Sequence, residues 1–130
     1  MKNATKLLGL LFLIHSGLAF SQWQIVGNTP NTAIYAEHSS VQKSGGNARM
    51  LILFDYKLAK SHSSGATYLS AVVQVEFDCR GRQRRFLKTA SYSESMGDGE
   101  VVETHALPNI WETVTPNGSA EEMWRIACKP

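Results

Sequence analysis

A chain of 130 residues, 43% hydrophobic and 18% charged, has room for one ordinary domain with a single core. Its 13 Lys and Arg stand against 11 Asp and Glu, and loss of a leader carrying Lys2 and Lys6 leaves eleven of each and a formal charge of zero. That balance provides no long basic track for a nucleic-acid backbone.

The chain opens with Lys2 and Lys6, an apolar run from Leu7 to Ile14, and the small-residue end Ala19-Phe20-Ser21. This is the pattern of a cleaved secretory signal peptide over residues 1–21, with a soluble exported domain over 22–130. His15, Ser16 and Gly17 break the run before it reaches the roughly 20 apolar residues of a membrane span.

Beyond the leader, Trp23 to Val26, Ala33 to Ala36, Ala48 to Tyr56 and Tyr68 to Cys79 are rich in β-branched and aromatic residues and are separated by turn residues, which predicts strands. Lys43 to Asn47 and Ser61 to Gly65 read as loops. Val73, Val75, Phe77 and Cys79 share one face by alternation, leaving Gln74, Glu76 and Asp78 on a wet one. A three-residue turn at Arg80-Gly81-Arg82 then starts a strand from Gln83 to Ser91. It sets Val75 opposite Leu87, Asp78 opposite Arg84 and Gln74 opposite Lys88 in an antiparallel hairpin.

Met96-Gly97-Asp98-Gly99 reads as a tight turn, with one acidic residue where calcium would need six to eight oxygens. Val101 to Thr104 and Ile110 to Val114 are shorter strand candidates. Ser119 and Glu122 fit a capping box opening a short helix, on which Ala120, Met123, Trp124, Ala127 and Cys128 form one apolar stripe. Asn117-Gly118-Ser119 matches a glycosylation sequon, but a turn into the helix cap accounts for it.

Export makes Cys79 and Cys128 a structural disulfide pinning helix to sheet. The architecture is therefore α+β: a single antiparallel sheet with a C-terminal helix packed on it and one disulfide.

The ordered set Trp23, Asp55-Tyr56, Phe77-Asp78-Cys79, Arg82 to Leu87, Tyr92, Met96-Gly97-Asp98-Gly99, Trp111, Val114-Thr115-Pro116, Glu122, Trp124 and Cys128 resembles the surface-adhesin protein E family. The resemblance implies a small exported bacterial domain of sheet and packed helix. For the founding adhesin it implies attachment to host matrix and serum proteins such as laminin and vitronectin, with haem binding also proposed. That adhesin resembles a lipoprotein, whereas this leader has no cysteine near its cleavage site, so outer-membrane anchoring does not carry over.

For binding chemistry, Arg80, Arg82, Arg84, Arg85 and Lys88 place five cations within nine positions, and guanidinium forks suit carboxylates, sulfates and phosphates. A solvated edge strand that blocks aggregation, with Arg84 paired to Asp78, accounts for the same residues. Trp23, Trp111 and Trp124 read as packing residues, and Tyr35, Tyr56, Tyr68 and Tyr92 as ordinary sheet residues.

His38, His62 and His105 lie in three segments, none at helical metal-site spacing, so surface histidine is the default. A haem axial ligand among them rests on the resemblance alone. No catalytic residue and no metal ligand is assigned. A Ser-His-acid site would have to assemble from remote segments, because the chain lacks a GxSxG elbow. Three function classes follow: a non-enzymatic adhesin-like binding module for a protein or glycan ligand, an envelope-associated periplasmic protein, and a hydrolase with an unrecognised site.

Overall fold

The computed structural model describes residues 22–130; the leader reading for residues 1–21 lies outside them. Eight strands and one helix follow in chain order: β1 Trp23–Asn28, β2 Thr32–Glu37, β3 Gln42–Ser44, β4 Asn47–Ser61, β5 Thr67–Asp78, β6 Gln83–Tyr92, β7 Val101–Ala106, β8 Glu112–Thr113 and α1 Ser119–Cys128. All pairings are antiparallel in one sheet of order β1-β2-β4-β5-β6-β7, with β3 on the start of β4 and β8 on the start of β6. The loop expected over Lys43 to Asn47 is instead a tight hairpin, in which Lys43 and Ser44 of β3 pair with Ala48 and Asn47 of β4. The expected α+β architecture is present.

Alternation decides which face is core. Ala48, Met50 and Ile52 of β4 stand opposite Phe77, Val75 and Val73 of β5, and all six are buried beneath Met123 and Ala127 of α1. Each large side chain so buried contributes about 1.5–3 kcal/mol. The helix approaches β1 so closely that a Cβ at Gly27 would lie 2.8 Å from the Ser119 Cβ, which requires glycine there. Trp124 Nε1 donates to the Asp78 carbonyl at 3.0 Å, and the Cys79–Cys128 disulfide ties the last helical turn to the end of β5.

The β5–β6 hairpin differs from its predicted register. Asp78 pairs with Gln83, Phe77 with Arg84 and Val75 with Phe86, one residue earlier than expected. The turn absorbs the extra residue: the Asp78 carboxylate accepts from the Arg80 and Gly81 amides at 3.1 and 3.0 Å, and Arg82 is left-handed at φ 50°. Asp78 is thereby committed to the turn and does not pair with Arg84. An irregularity between Gln74 and Val75 then restores the expected Gln74–Lys88 pair.

Three further expectations are corrected. Ser119 does not cap α1; Gly118 is the N-cap, and the Glu121 carboxylate instead accepts from the Asn117 amide at 3.1 Å. The strand expected over Ile110 to Val114 shrinks to Glu112–Thr113, because Asn109 is left-handed and Val114 turns inward to be buried. The face carrying Gln74 and Glu76 is not simply wet. Glu76 is 4% exposed, since Asn47, Arg49 and Arg85 all donate to it.

Part of that second face is covered by the segment around a 3-10 turn at Ser95–Gly97, richer than the plain tight turn expected. Asp55 accepts from the Met96 amide, and the Ser70 hydroxyl accepts from the Gly97 amide while donating to the Glu94 carbonyl. Gly97, at φ 72°, lies over Val72 and Leu53.

Candidate functional site

Alternation distributes the basic hairpin over both faces of the sheet, and the one-residue register change decides which face each arginine takes. Arg84, opposite Phe77, joins the helix side: it lies over the Phe86 ring at 4.9 Å. Burial holds its guanidinium below the ordinary arginine range, against the raising effect of Glu112. Arg82 stacks on Trp124 at 4.8 Å and pairs with Glu121 at 3.4 Å.

Arg85 takes the opposite face, stacked on Trp111 at 4.3 Å and paired with Glu76 at 2.9 Å. Arg80 lies at the turn beside Gly46, and Lys88 borders the uncovered part of the second face. Among the described residues, Arg80 and Lys88 form no ion pair. The five cations are therefore not one patch: two are tied to buried carboxylates and one is half-buried.

The face away from α1 carries an open groove of about 500 Å³, floored by Leu51, Val72, Ala90 and Ala106 and bordered by Gln74, Lys88 and Tyr92. Its apolar floor follows from the alternation that sends Val73 and Val75 to the core and leaves their neighbours on this side. Arg49, half-exposed, and Arg85 converge on Glu76 on the same face. Desolvation tends to raise the Glu76 pKa, but hydrogen bonds from Arg85, Arg49 and Asn47 outweigh it and hold the carboxyl below its ordinary range.

A second cluster forms on the helix side, beyond the helix. His62 ends the β4 arm, in a turn closed by its amide donating to the Ala66 carbonyl and the Gly65 amide donating to the His62 carbonyl, each at 2.9 Å. Its Nε2 lies 2.7 Å from Ser91 Oγ and its Nδ1 2.8 Å from Glu103 Oε2. His105 Nε2 is 3.4 Å from that same oxygen, while Ser64 donates to Glu103 Oε1 at 2.9 Å. The His62 ring stacks on Tyr68 at 4.3 Å, and Tyr68 meets Tyr56 edge-on at 5.8 Å. Burial, then the neighbouring Tyr68, raises the Tyr56 pKa. An adjoining cleft of about 300 Å³ is lined by Phe54, Phe86 and Leu107 among others.

Desolvation tends to raise the Glu103 pKa, but hydrogen bonds from Ser64 and His105 and the nearby imidazoles bring it below its ordinary range. Ser91, His62 and Glu103 stand in the order of a hydrolase triad. Ser91, however, is 3% exposed and directly opposite Glu103 in the ladder, where its Oγ accepts the Glu103 amide at 3.2 Å and donates to the Glu103 carbonyl at 3.3 Å. Its hydroxyl is thus tied to the Glu103 backbone as well as to His62, at the edge of the cleft that Ser91, His62 and Glu103 line together.

The three histidines are thus not all scattered. His62 and His105 lie 5.6 Å apart between ring centroids, whereas His38 borders a different hollow beside Lys43 and Arg125. Half of this grouping was legible: Glu103 and His105 are two apart on a strand and share a face. His62 and Ser91 reach them only through the β4–β5 turn and the β6–β7 pairing, for which the sequence carries no local signal.

The family model for surface-adhesin protein E matches residues 23–129. No curated protein matches the chain. The crystal structure of protein E from non-typeable Haemophilus influenzae is similar at TM-score 0.67 and 13% identity, over 84% of this chain and 76% of that one. A second structure of Haemophilus influenzae protein E is similar at TM-score 0.65 and 14% identity, over 84% of this chain and 85% of that one. At such identities the likeness is one of fold.

Proposed function

Because the chain belongs to the surface-adhesin protein E family, we propose that it is a non-enzymatic exported binding module that holds a protein partner on the sheet face away from α1. The observation that carries this is the open apolar groove with Lys88 on its border. Such a face joins area for burial to a cation that steers an acidic partner and sets register. The family points to host matrix and serum proteins, so laminin and vitronectin are the first partners to try. Arg80 is exposed at the hairpin turn beside Gly46, apart from the groove lining. Arg82, Arg84 and Arg85 enter through support of the fold, because each is packed on a ring and two hold buried carboxylates.

The test is surface-immobilised laminin and vitronectin with wild type, R80E, K88E and A106E. Positions 80, 88 and 106 are exposed, so thermal midpoints should not move. Binding should weaken with added salt and fall about tenfold in K88E and A106E. Wild-type affinity in both variants would remove the groove from the proposal.

A further inference from the structure

We propose that His62, Glu103 and His105 form a binding site for a divalent zinc-class metal ion. The three ligand atoms, His62 Nδ1, Glu103 Oε2 and His105 Nε2, all lie within 4.8 Å of one another. Ligands at 2.0–2.1 Å from a tetrahedral ion stand about 3.3 Å apart. Two of the three separations here are 2.8 and 3.4 Å. The remaining gap closes by rotation of His105, whose side chain is half-exposed.

The hydrogen bonding around the cluster carries the inference further. In the tautomer that donates Nε2–H to Ser91 Oγ, the hydroxyl proton goes to the Glu103 carbonyl. His62 then presents its bare Nδ1 lone pair to a carboxylate oxygen 2.8 Å away. A proton or a metal ion then bridges Nδ1 and Oε2, the proton giving an ordinary imidazole–carboxylate hydrogen bond and the metal ion taking its place. His105 directs a second imidazole to the same oxygen, a convergence that a single proton does not require.

The outer contacts are those that orient metal ligands: Ser91 holds His62 Nε2 and Ser64 anchors the second Glu103 oxygen. Two imidazoles and one carboxylate suit zinc and its neighbours, not the hard ions magnesium and calcium. Three protein ligands leave one position of a four-coordinate ion for water or for a donor atom of a molecule in the adjoining cleft.

The test is competition of the purified oxidised protein, free of any histidine tag, against a chromophoric chelator for Zn2+, with Co2+ as spectroscopic substitute. Wild type should take up one equivalent, raise its thermal midpoint in Zn2+ and give a Co2+ spectrum with nitrogen ligands. H105Q, at a half-exposed position, should keep the metal-free melting curve yet lose at least about tenfold in affinity, and S91A should lose about as much through the freed His62 ring. H38Q should match wild type. No stoichiometric uptake by wild type, or equal affinity in wild type, H105Q and E103Q, overturns the site and makes the cation between His62 and Glu103 a proton.

Discussion

Glu76 shows how one residue takes its role from its surroundings. Alternation puts it on the face away from the core, yet Asn47, Arg49 and Arg85 enclose it, and Arg85 itself lies over the Trp111 ring. Charge-assisted hydrogen bonds of this kind are worth more than neutral ones, and removing their acceptor leaves a half-buried guanidinium short of a partner. The folded carboxyl titrates below its ordinary value of 4.5. Between the folded and unfolded values the unfolded chain binds more protons, so stability rises with pH there; it is fully present above the unfolded value and is lost as pH falls through the folded one. E76Q should cost about 1–3 kcal/mol at neutral pH. Urea midpoints measured between about pH 6 and 3 should fall less steeply in E76Q than in wild type. Parallel curves would mean that another carboxylate governs the acid limb.

Among the elements, α1 depends most on what it is fastened to. It has ten residues, shorter than helices that hold alone in water. Its stability comes from Met123 and Ala127 on the sheet, the Trp124 bond to Asp78 and the Cys79–Cys128 bridge. A disulfide closing a loop with 49 residues of sequence separation restricts the unfolded chain by about 4 kcal/mol. C79A/C128A should lower the urea midpoint by an amount corresponding to most of that figure, with loss of helical circular dichroism in the same transition. Survival of the helix signal beyond sheet unfolding would contradict the dependence of α1 on the sheet. The β5–β6 hairpin gives the converse lesson: strand positions and pairing direction were legible from alternation, but Asp78 binding its own turn amides shifted the register. Because side chains alternate, that one-residue shift put Arg84 beside Phe77 and Arg85 beside Glu76.

At the scale of the molecule, a meander with a helix on one face leaves the other face open except where the segment around Ser95–Gly97 folds over it. Among the described residues no helix is long and apolar enough to cross a membrane. An adhesin role requires this face to reach the outside of the cell. Protease treatment of intact and permeabilised cells expressing the chain with its own leader should digest it in both, with a periplasmic control protected in the first. Protection until permeabilisation would assign it to the periplasm and confine the adhesin family to a statement about fold. Composition, alternation and two cysteines sufficed to read the longer strands, the C-terminal helix, the α+β class and the disulfide, but not the short strand β3, because each of the former depends on local periodicity or on the only pairing available. Which face each cation takes, that Glu76 is buried, and that His62 meets Glu103, His105 and Ser91 were decided by register and by turns between distant strands. Those depend on a single-residue offset in pairing, whose energy is summed over the whole sheet and is written in no short stretch of the chain.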